Sequence, residues 1–353
     1  MNRRMWKIIL LVLSPAILFG LYVLGVILFA TITNFSPEET EKVEVEGKGG
    51  SIAGNSFTIL IWNIGYGGLG ANADFFYDGG EMVRSPKEDV EAYNAGINEY
   101  LQKQFGNIDF ILLQEVDRNS KRSYGIDQFT AFQEMSDNYT AAFAANYKVK
   151  YVPLPFAKPM GRVHSGLASF SKFQPTESIR YQFPGNYGYP KSVFFLDRCF
   201  LLQRFSLENG KELVVINTHN SAYDDGSLKA QQMDCLKGVL AAEYEKGNYV
   251  IVGGDWNQCP PDFDFDKFAS EPETEYTQSN VPGDYLESWT WAFDPNTPTN
   301  RKVSVPYAPG ETFTTLIDFY LLSPNLKVER VEGVDMDFAW SDHQPVLLEF
   351  SFE

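Results

Sequence analysis

Val250-Ile251-Val252-Gly253-Gly254-Asp255-Trp256-Asn257 is the stretch on which the reading of this chain turns. Its apolar, β-branched start predicts a buried strand, which the two glycines are expected to end. Asp255 and Asn257 follow two positions apart, so they project to the same side from the end of a core strand. Sites gather at such ends on sheet-based folds. An acceptor-only carboxylate beside an amide suits a hydrated metal, a phosphate or an attacking water. A strand closing in an Asx turn explains the same residues without any ligand.

The same pattern recurs on both sides. Phe57-Thr-Ile-Leu-Ile-Trp62 delivers Asn63, Asp109-Phe-Ile-Leu-Leu ends in Gln114-Glu115, and Leu213-Val-Val-Ile ends in Asn217-Thr-His219. Strands lying side by side would bring these ends to one mouth. Glu, Asp and Asn together form a hard oxygen donor set that suits Mg²⁺ or Mn²⁺ and not zinc. All three histidines, His164, His219 and His343, adjoin these ends or a Gly-rich strand start, which turns the reading of them toward chemistry. Phe313–Ser323 reads as a strand with Asp318 in its middle, and Ser341-Asp342-His343 precedes a last strand. Gly166–Ser171 and Arg198–Phe205 are expected to pair. Helices are expected over about 85–105 and 227–244. The glycine cluster at 65–70 fits no dinucleotide or P-loop fingerprint and reads as a long loop framing a site. An irregular stretch follows Asp255 out to about Gly310.

The chain has 353 residues, 44% of them hydrophobic, enough for one large domain with a proper core. Its net charge of −17 supplies none of the basic footprint on which non-specific nucleic-acid binding rests. Cys199, Cys235 and Cys259 are too few and scattered for a disulfide framework or a zinc cluster. An apolar run from Ile8 to Ile32 is long enough to cross a bilayer and longer than the core of a cleaved signal. Arg3, Arg4 and Lys7 precede it and five glutamates follow within 38–46, so the large domain is expected outside the cell membrane. The expected organisation is a cytoplasmic tail at 1–7, a membrane anchor at 8–32, a flexible linker at 33–56 and a catalytic domain at 57–353.

In order, Asn63, Gln114-Glu115, Asn217-Thr-His219, Gly254-Asp255-Trp-Asn257, Ile317-Asp318-Phe and Ser341-Asp342-His343 resemble the endonuclease/exonuclease/phosphatase superfamily. That group includes pancreatic-type deoxyribonucleases, abasic-site endonucleases, bacterial sphingomyelinases and inositol polyphosphate 5-phosphatases. The resemblance covers about 57–352 and implies a four-layer α/β sandwich, α/β/β/α, of two packed mixed sheets. It implies Glu115, Asn63 and Asp342 near a Mg²⁺ (or Mn²⁺). Asp255 and Asn257 would position water and a phosphoryl oxygen, Asp318 would pair with His343, and His219 would face the scissile phosphate. Arg198, and more loosely Arg162 and His164, would contact phosphate, and Lys229 and Gln232 would stand where relatives carry Arg-x-x-Gln. Either Asp255 or His343 would be the general base. The implied activity is phosphoester hydrolysis; the anchor, the acidic charge and loop aromatics such as Phe75, Phe76, Tyr77, Tyr187 and Tyr189 point to a membrane-anchored monomer acting on lipid headgroups or small phosphoesters. An extracytoplasmic nuclease and a non-catalytic binding module are the alternatives.

Overall fold

Along Tyr249–Asp255 the side chains alternate as a sheet requires: Val250 and Val252 turn to an outer helix, and Ile251 turns to the facing sheet. The computed structural model that shows this describes residues 3–222, 226–268 and 278–353. The start of the expected cytoplasmic tail (1–2) and the middle of the irregular stretch (269–277) lie outside the described residues.

Two seven-stranded sheets pack face to face. The first runs Thr40–Lys42, Glu177–Gln182, Cys199–Ser206, Glu212–His219, Tyr249–Asp255, Asp318–Leu322 and Thr290–Ala292. The second runs Leu326–Gly333, Val346–Phe352, Ser56–Asn63, Phe110–Asp117, Gly161–Ser171, Thr140–Val152 and Val45–Gly47. Each sheet holds one central parallel pair, Glu212–His219 with Tyr249–Asp255 and Ser56–Asn63 with Phe110–Asp117. Between the sheets lies a core that includes Ile59, Leu112, Val215, Ile251, Tyr320 and Leu348. Met233, Leu236 and Leu240 of the Ser227–Glu245 helix cover the first sheet, while Ile97 and Leu101 of Lys87–Gln104 and Phe129 and Phe132 of Gln128–Met135 cover the second. This is the expected α/β/β/α sandwich.

Four expectations need correction. The glycines do not end the central strand, which continues to Asp255. They admit close neighbours instead: a Cβ on Gly253 would lie 2.5 Å from the Tyr320 ring, and one on Gly254 (φ +144°) would lie 2.1 Å from the Thr218 carbonyl oxygen. Gly254→Ala is therefore expected to destabilise the domain by about 2–4 kcal/mol, read as a lower urea midpoint at unchanged slope. Gly161–Ser171 and Cys199–Ser206 do not pair, because each lies in a different sheet. Asp318 does not sit mid-strand: Thr314–Thr315 pairs with Asn300–Arg301, and Asp318 starts a separate strand. The linker is not free either. Its Thr40–Lys42 pairs with Glu177–Gln182, its Val45–Gly47 pairs with Thr140–Val152, and Gly50 bridges to Phe173. Both sheets had an open edge there, and unpaired edge groups recruit such segments.

The apolar N-terminal run forms one helix, Arg3–Ile32, whose window Val12–Ile32 has the length and composition to cross a membrane.

Candidate active site

Strand register sets the centre of the site. Asp255 stands between His219 on the parallel neighbour and Asp318 on the antiparallel one. Asn63 and Gln114 are partners in the facing sheet. The Gln114 amide donates to Asn217 Oδ1 (2.7 Å), and Asn217 donates across to the Leu113 and Ala168 carbonyls (3.1 Å each). These two residues tie the sheets together beneath the site and do not enter it.

The Asx-turn reading of Asp255 and Asn257 holds, and it leaves one carboxylate oxygen free for the site. Asn257 (φ +51°) donates its backbone N–H to Asp255 Oδ1 at 2.9 Å, which is the Asx turn. Asp255 Oδ2 is left to the site, where the Asn63 amide donates to it at 3.0 Å and His219 Nε2 lies 3.3 Å away. Trp256 fixes the turn by stacking on Phe319 (5.2 Å between centroids) and donating to its carbonyl oxygen.

His343 completes the cluster. Its Nδ1–H donates to Asp318 Oδ2 at 2.8 Å, and its Nε2 lies 3.0 Å from the Asn300 amide, 3.4 Å from the Asn63 amide and 3.8 Å from Asp255 Oδ2. Burial disfavours its charge, but the carboxylates of Asp318 and Asp255 outweigh that and raise it to about 10, so it holds its proton. His219, fully buried beside Arg198 and His343, is pushed well below the usual histidine range and is neutral. Burial raises Asp255 to about 6 against the pull of His343. Asp255, Asp318 and His343 each offer a ligand-type atom within 4.8 Å of the others. The ring already bonds one carboxylate and faces the other, so the three read as a proton-holding relay.

Glu115 and Asp342 face the cavity beside this relay. Glu115 (φ +54°) stands at the bulge where the register with Gly161–Ser171 shifts, a device that re-aims a side chain out of a strand. Asp342 packs against Gly65, whose φ of +50° and missing Cβ leave room: a Cβ there would lie 2.6 Å from Asp342 Oδ1. Ser341 locks this segment by donating to the Asn63 carbonyl oxygen (2.8 Å), and Trp62 does so by donating to that of His343 (2.9 Å). Burial, countered by His343 and reinforced by Glu115, raises Asp342 to about 7.

Arg198 meets the expectation of position. It lines the cavity, its Nη1 is buried without a partner among the described residues, and burial lowers its guanidinium against the fields of Glu115 and Asp255. Arg162 and His164 do not join the site. They alternate with Ser165, which lines the cavity, and so lie on the opposite face of their strand. Arg162 donates to the Asn119 carbonyl, and His164 packs edge-on against Phe143, burial and nearby Lys148 and Arg118 lowering it to about 4. Gln232 braces the site loop through Ser221, and Lys229 is buried in the same helix.

Sequence reasoning missed Asn300 and Arg122. Asn300 lies in the stretch read as irregular, where no periodicity marks it. Arg122 is buried over the Tyr66 ring (3.7 Å), bound to Asp117 at 2.9 Å and 3.7 Å from Glu115 Oε2. A charged residue seven positions past Glu115 carries no sign that it folds inward. Arg122→Met would leave Asp117 buried without its cation and is expected to cost about 3 kcal/mol or more, measured by urea unfolding.

Residues 60–343 match the profile of the Endonuclease/Exonuclease/phosphatase family. Among solved structures, an endonuclease/exonuclease/phosphatase from Beutenbergia cavernae is 18% identical, with 84% of this chain and 72% of that one covered and a TM-score of 0.52. ANGEL2, a 2',3'-cyclic phosphatase in complex with adenosine-2',3'-vanadate, is 15% identical over 89% of this chain and 99% of that one (TM-score 0.54). The human Nocturnin catalytic domain with bound sulfate is 17% identical over 88% and 98% (TM-score 0.50). At these identities the likeness is one of fold. No curated protein matches the chain in sequence.

Proposed function

The chain belongs to the endonuclease/exonuclease/phosphatase family, a family of phosphoester hydrolases, and on that premise we propose that it cleaves phosphoesters at the Asp255 cleft by metal-assisted attack of water. The observation that carries this reading is convergence on one carboxylate. Asn63, His219 and His343 each turn a nitrogen toward Asp255 Oδ2, at 3.0, 3.3 and 3.8 Å. In this reading Asp255 orients the water and accepts its proton. His343, charged and held by Asp318, meets the negative charge growing on the phosphoryl oxygens, with Asn257 and His219 beside it. Three buried donors along the same cavity, Arg198 Nη1, Asn146 Nδ2 and Tyr66 Oη, have no partner among the described residues. An anionic group there would satisfy them.

Glu115 and Asp342, with the Asn63 amide oxygen, would hold Mg²⁺ or Mn²⁺. The set fits a hard divalent cation: it is all oxygen, and Arg122 comes no closer than 3.7 Å to Glu115. When bound, the ion supplies charge relief on the phosphoryl oxygens. The N-terminal helix is read as an anchor that keeps a monomeric domain on the outer face of a membrane, following the charge bias around it. A net charge of −17 argues against a polynucleotide, while the apolar N-terminal helix and loop aromatics such as Phe75, Phe76, Tyr77 and Tyr189 favour lipid headgroups or small phosphoesters. The test is p-nitrophenol release from bis(p-nitrophenyl) phosphate by the full-length chain in detergent, with Mg²⁺, Mn²⁺ or chelator. Plasmid nicking faster than this small-diester turnover would replace the substrate class with nucleic acid.

A further inference from the structure

The N-terminal helix does not stand away from the catalytic domain. Tyr22, Val23, Val26 and Ile27, at the spacing of one helix face, line the same cavity of about 720 Å³ as Glu115, Arg198, Asp342 and His343. Phe19 and Tyr22 pack on Phe156 (centroids 5.5 and 6.5 Å apart), the Tyr22 and Tyr151 hydroxyls lie 3.3 Å apart, and Thr31 reaches Tyr189 at 3.3 Å. On the opposite face Leu21, Leu24, Leu28 and Ile32 are exposed among the described residues.

Most of the apolar exposure elsewhere is gathered at this mouth. Outside the helix, the described residues with exposed large hydrophobic side chains are Phe76, Tyr77, Tyr124, Leu154, Phe156, Tyr189 and Val305. Tyr77, Leu154 and Phe156 line the cavity, Phe76 packs on Tyr77 at 5.3 Å, and Tyr189 bonds to the helix. A patch collected from three loops around a pocket marks an interaction surface. The leash is short: only residues 33–39 separate the helix from Thr40–Lys42, which is paired into the first sheet. With Lys7 at one boundary, about 20 residues of helix reach the other near Ile27. Phe19 to Ile27 then occupies roughly the outer 10 Å, a depth at which interfacial proteins bury apolar groups.

We propose that this helix is both the anchor and one wall of the active site, and that the substrate is a phospholipid of the surrounding membrane, admitted sideways between the helix and the Leu154–Phe156 loop. This rests on the hydrolase reading above. The acyl chains stay along the apolar wall while the phosphodiester reaches the polar floor at Arg198 and Glu115. Water oxygen forms a bond to phosphorus, the bond from phosphorus to one ester oxygen breaks, and that oxygen leaves with a proton derived from the water. The products are an alcohol and a phosphomonoester.

The experiment reconstitutes the full-length chain with Mg²⁺ in vesicles of phosphatidylcholine and phosphatidylglycerol, and follows lipid cleavage by mass spectrometry beside bis(p-nitrophenyl) phosphate turnover. Wild type is expected to cleave vesicle lipid, and Phe76→Ser with Tyr189→Ser is expected to lower the lipid-to-soluble rate ratio at least tenfold. Turnover of the soluble ester without lipid cleavage, or an unchanged ratio, overturns the proposal and leaves the hydrolase reading standing. Turnover of neither overturns both. A second readout is independent of turnover: a nitroxide on Phe156→Cys, in a chain carrying Cys235→Ser, should collide more with oxygen than with a polar nickel chelate. The reverse order overturns the proposal.

Discussion

Asp255→Asn is expected to lower kcat for phosphodiester hydrolysis by about 10³-fold or more. The side chain keeps its shape, so the Asx turn to Asn257 and the strand register with His219 and Asp318 survive. What goes is the negative charge that faces His343 and the acceptor that serves Asn63 and His219. An amide has one acceptor oxygen, and Asp255 uses both of its own, one for the Asn257 N–H and one for the Asn63 amide. One donor must therefore meet the new NH₂ group, at a cost of about 1–2 kcal/mol. For a domain of this size that lowers Tm by only a few degrees. Kinetics and differential scanning calorimetry on the same preparation separate the two effects. A folded variant that retains turnover removes Asp255 from the role assigned to it.

Glu115→Gln acts on the other half of the site. It is expected to weaken Mg²⁺ binding at least about 30-fold by calorimetry, since ligand charge sets the affinity of a hard-cation site. Turnover at millimolar Mg²⁺ falls by about 10²-fold and recovers in part when Mn²⁺ or excess Mg²⁺ is supplied. Glutamine is chosen because the +54° φ and the bulge at this position carry the side chain into the cavity, and a smaller residue would let the strand re-register. Unchanged metal affinity would place the ion elsewhere.

Much of this site was legible because strand periodicity and strand-end polarity are local signals. Val250 to Val252 announces a strand covered on both faces, and the residues at the ends of four such runs include Asn63, Glu115, His219 and Asp255. Sheet topology then brings those ends together. What was illegible is what depends on partners far along the chain. Gly253 and Gly254 look like a strand terminator and instead make room for Tyr320 and Thr218. The acidic and Gly/Ser-rich segment after the N-terminal helix looks like a tether, yet each sheet offers its Thr40–Lys42 and Val45–Gly47 an open edge. Arg162 and His164 share a Gly-rich strand with Ser165, and one residue of register decides which side chain meets the cavity. Arg122 and Asn300 carry no motif at all. Their meaning comes from Tyr66, Asp117 and His343, which only the fold sets beside them.

If the cleft built around Asp255 hydrolyses phosphoesters with the help of a metal, a simple diester is enough to reveal it. Release of p-nitrophenol from bis(p-nitrophenyl) phosphate, measured for the full-length chain and for Asp255→Asn with and without Mg²⁺ or Mn²⁺, tests it most directly. Turnover is expected to need the added ion, to stop with chelator and to be lost in Asp255→Asn. Turnover of equal rate in chelator, or in the Asp255 variant, would contradict it.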